Sequence, residues 1–146
     1  MIAETPITRL RDHLGPAFSD VVQEHRPQFI ERNGRDHGVL LGHDEILRLL
    51  EPHGFHPEVF HEDQAVSIWL PEFALYGRGT SFGEAMEDLV DEVQAYVEEY
   101  LSDPAAYLSA PNRAHHFSHV LKAALADLRG ELDAVLFAEP REKVGG

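Results

Sequence analysis

Apolar positions along the chain recur at a helical period, then at a strand period, then twice more at a helical one. Residues 5–10 read as a short extended start. Leu14, Ala17, Phe18, Val21, Val22 and His25 share one helix face, and Gly15-Pro16 either kinks that helix or ends a short first turn before a restart at Pro16. Gln28 to Arg32 and Arg35 to Leu41 flank Asn33-Gly34. This predicts a hairpin, because both positions of the tight turn need positive φ. His43 or Asp44 then caps a helix with Ile46, Leu47, Leu49 and Leu50 on one face, stopped by Pro52 and Gly54.

The second half opens with two strands, Glu58 to Glu62 and Ala65 to Leu70, around a polar tip. In the second of them Val66, Ile68 and Leu70 alternate with Ser67 and Trp69. Phe73 to Tyr76 adds a third strand, which Gly77-Arg78-Gly79 ends. Ser81 followed by Glu84 forms a capping box. The helix after it carries Phe82, Ala85, Met86, Leu89, Val93, Tyr96, Val97 and Tyr100 on one stripe, with acids crowding the rest until Asp103-Pro104 breaks it. A long last helix spans Arg113 to Phe137, its apolar stripe interrupted by Gly130 at a cost of about 1 kcal/mol. Such a stripe needs cover, from the chain's own second module or from a second copy. The tail after Pro140 reads as disordered.

Charge is divided unevenly. Residues 1–50 hold six Arg and eight acids, a net of −2; residues 51–146 hold six basic residues and eighteen acids, a net of −12. The acidic part repels phosphate and attracts basic partners, so any nucleic-acid contact belongs to the first 50 residues. That stretch has Arg and no Lys, which fits bidentate phosphate or guanine contacts and equally fits a high-GC genome. With no cysteine, thiol catalysis, disulfides and Cys-based zinc sites are excluded. Without a membrane-length apolar run or a signal-like start, the expected location is the cytoplasm.

Two resemblances sharpen this picture. Arg11, Leu14, Phe18 and Val21, the hairpin residues Ile30, Arg32, Asn33, Gly34, Arg35, Val39 and Leu40, and then Asp44-Glu45-Ile46 resemble the Phd/YefM antitoxin family over residues 5–51. Asp36 departs from the proline common there. The run from Val66 to Phe73, then Tyr76 to Gly79 and Thr80 to Ala85, resembles the HicB antitoxin pattern over residues 57–101.

The resemblances imply an α+β chain: a Phd/YefM-like dimerisation and DNA-binding module of helix, β-hairpin and helix (1–54), a HicB-like small antiparallel sheet with a packed acidic helix (55–103), a long C-terminal helix for toxin binding or dimer packing (104–139), and a disordered tail (140–146). They imply a non-enzymatic homodimer that neutralises a cognate toxin, a RelE/YoeB-like mRNA nuclease or a Doc-like kinase, and represses its own operon by binding operator DNA. Arg11 is carried over as the DNA contact, with Arg9 beside it and Thr8 as a phosphate contact. The acidic helix, through Glu84, Glu87, Asp88, Asp91 and Glu92, suits a basic nuclease toxin.

Rival chemistry is thinner. His115 and His119 have the i,i+4 spacing that lets two imidazoles share a cation, but Phe117 and Ser118 lie between and no acid falls close by in sequence, so with His116 they also read as a solvated helix start. His53, His56 and His61 lie near Glu58, Glu62 and Asp63 and read as metal ligands or as pH-sensitive surface groups. The acids of 84–92 run along one helix, whereas a Mg²⁺ nuclease site needs carboxylates converging from different elements. Trp69 reads as core or as an interface anchor, and Arg9 and Arg11 also read as salt-bridge partners of Asp12 and Glu4. No cofactor is expected. The alternatives to an antitoxin are an orphan transcriptional regulator and a metal-dependent hydrolase.

Overall fold

A computed structural model describes residues 1–138 and the backbone of 141–144. The chain forms two compact units, Met1–Leu49 and Leu50–Gly146. The class is α+β, as expected.

In the first unit, β1 (Thr5–Pro6) pairs in parallel with β2 (Gln28–Arg32), which pairs antiparallel with β3 (Asp36–Leu40). The hairpin is as read: Asn33 and Gly34 have φ of 54° and 65°, and Arg32 reaches Asp36 across the turn at 2.7 Å. The start is not extended to residue 10. Only Thr5–Pro6 is strand, and α1 (Ile7–Asp12) follows directly. His13 then breaks the chain, and α2 (Leu14–Gln23) begins with Gly15 and Pro16 inside its first turn. Proline is tolerated there because that N–H has no helical partner to lose. α3 (His43–Leu50) closes the unit.

In the second unit, β4 (Glu58–Glu62), β5 (Ala65–Leu70) and β6 (Leu75–Gly79) form an antiparallel meander. The third strand starts two residues later than the pattern suggested and runs through both glycines. Ala74, at φ 55°, turns the chain first. α4 (Phe82–Ser102) crosses the sheet, and Ala85, Leu89, Val93, Val97 and Tyr100 are buried on its inner face. Gly77 and Gly79 stay in the strand because α4 lies against them. A Cβ at Gly77 would collide with the Ala85 carbonyl and with Leu89, and one at Gly79 would meet the Glu84–Ala85 backbone.

The expected long last helix is broken. α5 (Pro104–Leu108) is followed by a 3₁₀ turn (Ala114–His116), α6 (Phe117–Leu128) and α7 (Leu132–Leu136). Gly130, at φ +69°, ends α6 instead of being tolerated within it. Its N–H bonds to Asp127 O at 3.0 Å and the Glu131 N–H to Ala126 O at 2.9 Å. This is the left-handed cap for which glycine is favoured.

The acidic helix and the C-terminal helices share one core: Val120, Ala123, Leu132 and Leu136 pack with Leu89, Val93 and the sheet. The boundary foreseen at 103/104 is therefore internal to a unit. The tail also differs from expectation. β7 (Arg141–Val144) pairs in parallel with β4, giving the sheet order β6-β5-β4-β7; residues 139–140 and 145–146 lie outside the described residues.

The close approach at Gly77 is testable. Gly77→Ala is expected to lower unfolding free energy by about 1–3 kcal/mol through overpacking. Gly83→Ala, where the added methyl meets nothing nearer than Ser81 Oγ at 3.9 Å, is expected to leave stability unchanged or raise it by up to about 1 kcal/mol. Urea titrations of both variants read the difference.

Candidate functional site

The proposed DNA contacts fall on α1. Thr8, Arg9 and Arg11 are all exposed. Arg11 Nε lies 3.6 Å from Asp12, but its side chain is 77% exposed, so that ion pair holds it weakly. Arg9 lines a shallow cleft of about 390 Å³ with His13, Asp20 and Gln28. Thr8 lies in the first turn of a six-residue helix with no side-chain cap. Beside them, His37 Nδ1 sits 2.5 Å from Glu4 Oε2, which ties the leading arm to β3 and raises the His37 pKa through that hydrogen bond and the carboxylate charge.

The five acids proposed for toxin contact do not act as one face. Glu84 and Asp88 are engaged with the sheet edge. Ser81 Oγ accepts from the Glu84 N–H at 3.2 Å, while the Glu84 carboxylate accepts from the Thr80 N–H and hydroxyl at 2.8 and 2.7 Å. Those Thr80 donors hold the Glu84 carboxyl below its ordinary pKa. Asp88 accepts the Arg78 N–H at 2.9 Å, a donor on the outer edge of β6. Capping an exposed strand edge in this way blunts unwanted pairing. Glu92 is exposed, one turn beyond Asp88.

Glu87 and Asp91 are placed differently. They rim an open groove of about 490 Å³ between α4 and the α6–α7 junction, together with Asp127 and Asp133 on the far wall. Met86, Val90 and Leu132 supply its apolar floor, and the Gln94 amide donates to Asp127 Oδ1 at 2.9 Å across it. Asp127 and Asp133 were not anticipated. The signal for them was Gly130 read as a helix terminator, which turns the chain so that both acids face α4.

His115 packs edge-on against His116 at 4.4 Å between ring centroids, while His116 and His119 bond to different partners. His116 is buried with Nδ1 2.5 Å from the Tyr96 hydroxyl, and burial, then His115 and Arg113, pushes its pKa down to about 4. His119 Nε2 meets the Gly54 carbonyl at 3.1 Å, and burial lowers its pKa too. His53 packs edge-on against His119, and His56 pairs with Glu72 at 3.3 Å. Among the described residues no group of three His, Asp or Glu is placed to hold a metal ion. Trp69 lies half-buried on the open face of the sheet, 4.5 Å from the Tyr76 ring, rather than in the core. No helix among the described residues is long and apolar enough to cross a membrane.

A family model described as PHD-like, antitoxin of toxin–antitoxin, RelE/RelB, matches residues 1–137. A solved structure from Syntrophomonas wolfei subsp. wolfei, described as the antitoxin part of a candidate toxin/antitoxin system, superposes with a TM-score of 0.80 at 24% identity, covering 99% of this chain and 100% of that one. At that identity the likeness speaks to the fold. No curated protein sequence matches.

Two predictions follow from the geometry. Asp88→Ala leaves the Arg78 N–H without its acceptor and is expected to cost about 1 kcal/mol, whereas Glu87→Ala is expected to stay within about 0.5 kcal/mol of the parent in urea unfolding. The second concerns pH. Unfolded His116 takes up a proton near 6.5, and folded His116 only near 4. Between those values the unfolded chain holds more protons, so stability falls as pH falls through that window, by up to about 3 kcal/mol. His116→Gln should flatten this slope between pH 6.5 and 4.5; an unchanged slope would show that His116 is already charged in the fold.

Proposed function

The chain belongs to the PHD-like family of antitoxins of RelE/RelB-type toxin–antitoxin systems, and from that premise we propose that it neutralises a toxin by binding it, without catalysis, and represses its own operon by binding operator DNA. The observation that carries this reading is how charge divides between the two units. The first holds six Arg against eight acids, a net of −2, and the second six basic residues against eighteen acids, a net of −12. A toxin that cleaves mRNA needs cations to hold phosphates, and a RelE/YoeB-like nuclease therefore offers the basic surface that the second unit complements.

Operator binding falls to the first unit, where exposed Arg9 and Arg11, with Thr8, stand on α1. Dimerisation falls there too. Leu14, Phe18 and Val22 lie one turn apart along α2 and are 53%, 56% and 46% exposed, and of the unit's apolar side chains only Val21 is buried. A unit this small with so little buried gains by covering that stripe with its copy in a two-fold pair.

The test is co-expression of the tagged chain with its flanking genes. A small basic protein retained in fixed ratio is expected, together with a gel shift on the upstream DNA that Arg9→Ala/Arg11→Ala weakens while reducing the salt slope by about 1 per lost phosphate contact. No retained partner would refute the toxin role and leave a DNA-binding regulator. An unshifted DNA band would refute the operator role.

A further inference from the structure

Taking the antitoxin reading as its basis, we propose that the groove between α4 and the α6–α7 junction seats a basic amphipathic helix of the partner protein, its cations on the acidic rim and its apolar face on the floor. The groove joins two features that rarely coincide on a solvated surface. Its floor is apolar, with Leu132 buried and Met86 and Val90 half-buried against the core. Its rim carries carboxylates on both walls, and among the described residues no Lys or Arg lines it.

The spacing selects the occupant. Glu87 and Asp91 are one helical turn apart along α4, so a helix laid alongside presents cations at the same i,i+4 repeat to meet them. Asp127 and Asp133 face it from the other wall on either side of the Gly130 turn, and the Gln94–Asp127 hydrogen bond holds that wall to α4. Apolar residues between the cations then reach Val90 and Leu132. An amphipathic helix in a groove is a recurrent recognition mode, read by such anchors.

Other occupants fit poorly. Nucleic acid is repelled by four carboxylates. A second copy of this chain would bring a net charge of −14 against an acidic rim. Among the described residues the acids do not converge to hold a metal ion.

The probe is a fluorescein-labelled synthetic peptide of about 15 residues, four helical turns, with Leu and Arg on a helical repeat. Its binding to the full chain is read by anisotropy, beside retention of the co-expressed partner. Glu87→Gln/Asp91→Gln is expected to weaken the peptide about tenfold, the combined effect of two rim ion pairs, and to release the partner. Glu62→Gln/Glu98→Gln, which removes equal charge elsewhere on the same unit, is expected to change neither. A peptide with Ser in place of each Leu is expected not to bind.

Equal weakening by the two double variants, or undiminished binding of the Ser peptide, would reduce the site to diffuse charge and overturn the proposal. So would a change in sedimentation of the chain alone with Glu87→Gln/Asp91→Gln, which would make a second copy the occupant. A groove variant that retains the partner fully overturns the groove and leaves the antitoxin reading standing. A parent chain that retains no partner overturns that reading itself.

Discussion

The second unit depends on how closely a helix can lie on a strand. α4 comes near enough to β6 that neither Gly77 nor Gly79 has room for a Cβ. That contact lets Leu89 and Val93 reach the core between sheet and helix, where Ile68, Leu70 and Phe73 meet them. It also fixes the rotation of α4 about its own axis, since the face against β6 must be the one bearing Ala85, the smallest of the buried side chains on that helix. Once that rotation is set, every acid on α4 has its place decided. Glu84 and Asp88 fall beside β6 and cap its edge. Glu87 and Asp91 fall on the opposite flank, over α7.

A run of acids on one helix therefore divides into two kinds of work. Caps on a strand edge are short-range and tied to backbone donors, so they specify the fold locally and keep the edge from recruiting other strands. The rim carboxylates Glu87 and Asp91 sit on the other flank of the helix, away from the strand edge and open to a cation from outside. The two kinds are adjacent in sequence and alike in residue type. Only the sheet beside the helix tells them apart.

This is also where the sequence was informative and where it was not. The Asn33-Gly34 hairpin, the Ser81–Glu84 cap and the two strands around Asp63-Gln64 were legible because each rests on residues close in sequence with narrow conformational needs. Gly77 and Gly79 were misread as the end of a strand because their role depends on a helix packed across them. Gly130 was misread as a tolerated interruption because its cost in a continuous helix is small, while the left-handed cap it forms depends on where the chain goes next. β7 could not be foreseen, since its pairing with β4 links residues about eighty positions apart. The acidic groove was half legible: its sign and its helix were plain, but Asp127 and Asp133 join it only through the Gly130 turn.

The two units also differ in how complete they are. In the second, a continuous core runs from Phe55 to Leu136, and its surface can be spent on recognition without endangering the fold. In the first, strands and helices form while their apolar side chains are half-buried or exposed, with Val21 alone buried. Local signals suffice to build such a unit: a tight hairpin, a proline in a first turn, an ion pair across the turn. They do not suffice to hold it strongly, because the free energy of folding a small domain comes mainly from apolar surface removed from water. A unit of this kind draws its stability from whatever covers Leu14, Phe18 and Val22. If a second copy supplies that cover, the exposed arginines of α1 are held most firmly in the pair, and anything α1 binds becomes coupled to self-association, whereas the second unit is already folded by itself.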